Sequence, residues 1–97
     1  MAIVKISHLA ELDLAEIWDY ISTDNINAAD KTISKLYLKL ENLSDFPSMG
    51  RDCSDLQPVL RVYTIDNFEA YYKIGNDIID IVRIIHSKRD KYRIFNH

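Results

Sequence analysis

The stretch VLRVYTIDNFEAYYKIGNDIIDIVRIIH, Val59 to His86, decides how this chain folds. Its β-branched and aromatic residues form three runs, Val59 to Ile65, Phe68 to Ile74 and Ile78 to His86, broken by Asp66-Asn67 and by Gly75-Asn76-Asp77. Such residues suit a pleated, half-buried surface, and short clusters of turn formers suit tight reversals. The stretch predicts a three-stranded antiparallel meander. Its third run is apolar at both parities, with Ile78, Val82 and Ile84 against Ile79, Ile81 and Ile85, as expected of an interior strand covered on both faces. Alternation puts Arg83 with Ile79, Ile81 and Ile85 and His86 opposite, unless a bulge intervenes.

Upstream of the meander the period changes. Ala10, Leu14, Ile17 and Ile21 recur at helical spacing with Trp18 beside them, while Glu11, Asp13, Glu16 and Asp19 are assigned to the outer face. Ser7 is a candidate N-cap for this helix, predicted from Leu9 to Thr23. After the turn formers Asp24 to Asn27, the apolar positions Ala29, Ile33, Leu36, Leu40 and Leu43 define a second helix to about Ser44. A loop this short makes the two helices an antiparallel hairpin. Pro47 cannot continue a helix, so a loop of about a dozen residues follows. Ile3 to Ser7 alternates as a short opening strand. The predicted order is β-α-α-β-β-β. This is an α+β fold in which the N-terminal strand and the αα hairpin pack on a small antiparallel sheet, with the first strand at one edge.

The 97 residues allow one domain, 1–97. With 47% apolar and 28% charged residues and only two Gly and two Pro, disordered, collagen-like and coiled-coil classes are excluded. Met1 to Val4 is the longest apolar run, too short to cross a membrane, and no signal-peptide pattern accompanies it, so a cytoplasmic protein is expected. Cys53 stands alone, and His8, His86 and His97 are scattered, so neither a disulfide nor a metal site is expected, and no cofactor motif is present. Charge is uneven. Residues 1–82 carry seven basic and fourteen acidic side chains, whereas the segment 83–97 carries five basic residues against Asp90. That basic segment is either a solvated end or a docking element for an acidic or phosphorylated partner.

Charges inside apolar strands are informative, because they must reach solvent or a partner. Arg61, Glu69, Lys73, Asp80 and Arg83 are such positions. Arg83 would pair with a carboxylate such as Glu69 or with a helix C-terminus, and His86 would close a strand. Alternatively, His86, Arg61, Arg83 and Tyr92 are chemically eligible for metal-free RNA cleavage, which needs a base for the 2′-hydroxyl, a guanidinium for the phosphorane and an acid for the leaving oxygen. Nothing in the spacing shows that they converge.

The series Ala10-x-x-Asp13-Leu14-x-x-Ile17-x-x-Tyr20-Ile21, Ala28-Ala29, Phe46-Pro47-Ser48-Met49-Gly50-Arg51, Leu60-Arg61, Tyr72-x-Ile74 and Ile81-x-Arg83-Ile84-Ile85-His86-x-x-Arg89-Asp90 resembles the ParE branch of the RelE/ParE toxin superfamily. The resemblance spans nearly the whole chain. It implies the toxin half of a bacterial type II toxin-antitoxin pair, often used for plasmid or chromosomal-segment maintenance, with a ParD-like antitoxin as partner. It also implies DNA gyrase as the target, without bond-breaking chemistry by the toxin and without sequence-specific DNA binding of its own. The alternatives are a RelE-like ribosome-dependent mRNA endonuclease and an inactive homologue that still binds an antitoxin. Two features count against the nuclease. Glu69 stands where RNA-cleaving relatives tend to carry arginine, and the acidic body suits a ribosome poorly.

Carried over residue by residue, Arg83, His86, Arg89 and Asp90 match the terminal motif of the family, and Lys88, Lys91 and Arg93 add basic positions. Target binding is expected from Arg83, His86, Lys88, Arg89, Asp90 and Arg93. Gly50 and Arg51 match a Pro-x-x-Gly-Arg element, in which Gly50 is expected at positive φ and Arg51 as a loop clamp. Arg51 and Arg61 are divided between functional and structural roles. Ser87 departs from the pattern where glycine is common. Trp18, Ile26 and Leu38 are the expected antitoxin contacts on the hairpin, and exposed apolar surface there would also permit a homodimer.

Overall fold

A computed structural model of the chain describes residues 2–95; Met1, Asn96 and His97, and with them the far end of the basic segment, lie outside the described residues. Strand β1 (Ile3–Ile6) leads into helix α1 (His8–Ser22), where the Ser7 hydroxyl accepts from the Ala10 amide at 3.1 Å and donates to the Val82 carbonyl at 2.9 Å. One side chain thus caps the helix and ties its start to the sheet. Helix α2 (Ile26–Glu41) begins at Asn25, whose side chain accepts from the Ala28 amide, and ends in a 3₁₀ turn, Asn42–Ser44. A second 3₁₀ turn, Pro47–Met49, precedes a two-residue strand β2 (Arg51–Asp52). The meander follows as β3 (Leu60–Ile65), β4 (Phe68–Ile74) and β5 (Ile78–His86), and a short helix α3 (Lys91–Phe95) closes the described chain.

The α+β architecture and the order of its principal elements match expectation, while the sheet itself differs in three ways. It has five strands in the order β1-β5-β4-β3-β2, and β1 runs parallel to β5, with Ile3 opposite Ile78 and Ile6 opposite Ile81. The sheet is therefore mixed rather than antiparallel. Parallel neighbours need a long crossover, and the hairpin plus the meander supplies it. Second, the expected loop after Pro47 contains β2, which pairs with Val62 and Arg61 of β3.

Third, a bulge shifts the parity of β5. Tyr71 lies opposite Arg83 but Tyr72 lies opposite Ile81, so Val82 is the extra residue. Ile79, Ile81 and Ile84 consequently share the helix-covered face, where they meet Ala10, Leu14, Leu36, Leu40 and Leu43. Val82 and Ile85 belong to the other face, with Cys53, Leu56, Leu60, Val62 and Tyr71. Arg83 is accordingly in register with Tyr71 of the far face, rather than grouped with Ile79 and Ile81. The far face has its own cover, formed by residues 53–56 and by Ile94 and Phe95 of α3.

Candidate functional site

Asp13, expected on the solvent face of the first helix, is only 5% exposed. It lies three residues after Ala10 and four before Ile17, at the border of the apolar stripe, so α1 carries it over the edge of β5 that β1 leaves open beyond Ile81. There its carboxylate accepts from Arg83 Nε and Nη2, both at 2.8 Å, and from the Ile84 amide at 2.9 Å. The bidentate pair satisfies a buried charge, and the third bond closes an unpaired strand amide. These bonds raise the Arg83 pKa above its ordinary value and keep the guanidinium charged. Arg83 thus pairs with a carboxylate as expected, but with Asp13 instead of Glu69.

Glu69 is 7% exposed on the far face and accepts from the Tyr71 hydroxyl at 2.9 Å. Arg51 and Lys91 approach its other oxygen at 3.8 and 4.0 Å. Burial and this carboxylate push the Tyr71 phenol pKa well up, while burial, helped by Asp55, pushes up the Cys53 thiol. Lys91 and the Phe95 ring, whose centroid lies 4.8 Å from that of Tyr71, pin α3 over this face.

A clasp forms around Gly50. Its φ is −76°, so the expected positive φ is wrong; the position needs glycine because an added Cβ would lie 2.5 Å from the Val62 carbonyl oxygen and 2.7 Å from the Tyr72 hydroxyl. The Gly50 amide donates to that hydroxyl at 2.9 Å, and the hydroxyl donates to the Pro47 carbonyl at 2.7 Å. Arg61 donates to the carbonyls of Ser48 and Gly50, which makes Arg61 the loop clamp, while Arg51 reaches Thr64 and Glu69.

The residues eligible for RNA cleavage are dispersed over β3, β5 and α3, where Tyr92 is exposed. Register sets Arg61 beside Tyr72, Arg83 beside Tyr71 and His86 beside Phe68, and each arginine is engaged with different partners. His86 packs edge-on against Phe68 and accepts the Lys88 amide at Nδ1, 3.1 Å away.

Two concavities meet at the end of β5. A groove of about 1020 Å³ opens between the hairpin and the β3–β4 turn, with a floor that includes Ile17, Ile21, Leu36, Ile65 and Phe68. Its rim carries Glu16, Lys31, Lys35, His86, Lys88 and Arg89, and Tyr20 stands there 82% exposed. Trp18, Ile26 and Leu38 do not line it. Trp18 is half-buried and donates to Asp30 at 2.8 Å, whereas Ile26 and Leu38 are 59% and 70% exposed elsewhere on the hairpin. The second concavity, a notch of about 490 Å³, is lined by Arg83, Arg89, Asp90, Arg93 and Ile94. Asp90 caps the start of α3, accepting from the amides of Tyr92 and Arg93. Arg89 borders both.

Residues 4–91 match the family model described as ParE toxin of type II toxin-antitoxin system, parDE. The chain belongs to this family of ParE toxins. It is 28% identical over 67 residues to Toxin ParE3 of Caulobacter vibrioides, covering 69% of this chain and 67% of that one. It is 26% identical over 87 residues to Toxin ParE1 of Mycobacterium tuberculosis, covering 88% and 89%. A solved structure described as a chromosomal ParDE TA system from P. aeruginosa superposes with a TM-score of 0.77 at 24% identity, covering 89% of this chain and 96% of that one, which establishes the fold. The ParE toxin described here retains the strand, helical hairpin and sheet expected from the sequence resemblance. No helix among its described residues is long and apolar enough to cross a membrane.

Proposed function

We propose that this toxin acts by binding DNA gyrase through the basic segment that begins at Arg83, without catalysing a reaction, and that a ParD-like antitoxin restrains it from the groove. The observation carrying this reading is the junction at the end of β5. His86, Lys88 and Arg89 border an apolar groove on one side, and Arg89 borders the arginine notch on the other. An amphipathic antitoxin segment would bury its apolar face on Ile17, Ile21, Leu36 and Phe68, and acidic side chains on it would meet Lys31, Lys88 and Arg89. Such an occupant covers part of the target-binding segment, so neutralisation follows from overlap. The description of the P. aeruginosa neighbour as a ParDE system supports ParD chemistry for the partner.

Support for a binding role over mRNA cleavage comes from the engagement of Arg61 and Arg83 in structural bonds and from the buried Glu69 on the far face. Gyrase supercoiling with the purified toxin is the test. Wild-type toxin should inhibit supercoiling, and the Lys88→Ala/Arg89→Ala double variant should lose at least tenfold in potency with an unchanged circular dichroism spectrum. Full potency in that variant would refute the assignment.

A further inference from the structure

The arginine notch has a charge imbalance that the fold does not resolve. Three guanidiniums line one small concavity, and Asp13 neutralises the Arg83 guanidinium from outside it. Arg89, in the bend before α3, and Arg93, on α3, make no ion pair among the described residues. Asp90 is the one acidic lining residue, and one of its carboxylate oxygens already accepts two backbone amides. Like charges gathered in a concavity repel unless an anion joins them, and this collection stands on a chain whose first 82 residues are net acidic.

The geometry points to a phosphate-binding site at Arg89 and Arg93, walled by the Asp13-held Arg83, that takes the sugar-phosphate backbone of nucleic acid. This rests on the reading of the segment as the target-engaging surface and names the ligand it touches there. The planar guanidinium fork suits bidentate bonding to oxyanions, and a phosphate offers more acceptor oxygens than a carboxylate, enough for more than one arginine. Lys88, adjacent to Arg89 in sequence, lines the neighbouring groove and adds a further cation there. Phosphate contacts are independent of sequence and weaken with salt, so the contact is read on an isolated duplex at low salt.

The test is fluorescence anisotropy of a labelled 12-base-pair duplex with the full-length toxin at low salt, run beside the supercoiling assay. Binding should weaken with salt at a log-log slope of about −2 to −3, since each neutralised phosphate contributes about 0.9. Arg93→Ala should weaken it at least tenfold, Arg93→Lys several-fold, and Lys39→Ala, on the exposed flank of α2, not at all. Absence of duplex binding overturns the site, even where inorganic phosphate alone raises the melting temperature. Displacement of the duplex by polyglutamate at equal charge concentration also overturns it, as does a Lys39→Ala loss equal to that of Arg93→Ala. The two claims fail separately. Duplex binding by a toxin that leaves supercoiling untouched keeps the phosphate site and removes gyrase, whereas Arg93-dependent inhibition without duplex binding keeps gyrase and removes the phosphate site.

Discussion

Replacing Asp13 by alanine leaves the Arg83 guanidinium and the Ile84 amide without their acceptor, which should destabilise the toxin by about 2–4 kcal/mol in urea denaturation. Arg83→Ala strands the buried Asp13 carboxylate with the Ile84 amide as its remaining donor and should cost a similar amount, and the double variant should lose less than the sum of the two. Loss of toxicity in Arg83→Ala is therefore interpretable only beside a stability measurement. At the clasp, Gly50→Ala forces a Cβ against the Val62 carbonyl, and Tyr72→Phe removes two hydrogen bonds; each should lower stability by about 1–3 kcal/mol on thermal or urea unfolding. Burial keeps Cys53 and Tyr71 neutral in the folded state, with pKa values above the ordinary 9.0 and 10.0. The unfolded chain releases those protons first, so the folded state binds more protons above about pH 9 and stability should fall as pH rises from there. Urea midpoints at pH 7, 9 and 10.5 check the sign. Asp13 is legible in the sequence as part of the resemblance but not as a buried group, because its burial beside Ala10, Leu14 and Ile17 depends on Arg83 and the Ile84 amide, some 70 residues away in sequence.

At the scale of elements, periodicity carries far. The runs Phe68 to Ile74 and Ile78 to His86 coincide with β4 and β5, and α1 begins within one residue of expectation at its Ser7 cap, whereas α2 begins at Ile26, inside the stretch Asp24 to Asn27 expected as a turn, because Asn25 caps it. Three elements leave little trace in sequence. Strand β2 is two residues long and exists because β3 presents an open edge; the bulge at Val82 depends on pairing with β4; and α3 is too short to form alone. Helix α3 depends on tertiary contacts, the Phe95 ring on Tyr71 and Lys91 near Glu69. Phe95→Ala should therefore raise hydrogen exchange across 91–95 by tenfold or more while β4 and β5 stay protected, as hydrogen-exchange mass spectrometry can show. Equal loosening of the sheet would mean that α3 is integral to the core.

For the molecule as a whole, an acidic body presents one basic corner, and the groove beside that corner is apolar. The charge asymmetry and the basic segment are readable from composition, but the groove arises only when the loop end of the hairpin, the β3–β4 turn and the end of β5 come together in space, and the notch only when α3 folds back beside Arg83. Trp18, Ile26 and Leu38, the expected antitoxin contacts, lie away from this groove, while Ile17, Ile21 and Leu36, expected as core, form its floor. The central claim is that this corner binds DNA gyrase and breaks no bond in RNA. Pulse-labelling of DNA and protein synthesis in one culture, after inducing the toxin without an antitoxin, tests it most directly. DNA synthesis should falter first, with a DNA-damage response and intact messages. Collapse of protein synthesis within the first minutes, with cleaved messages while DNA synthesis continues, would contradict it.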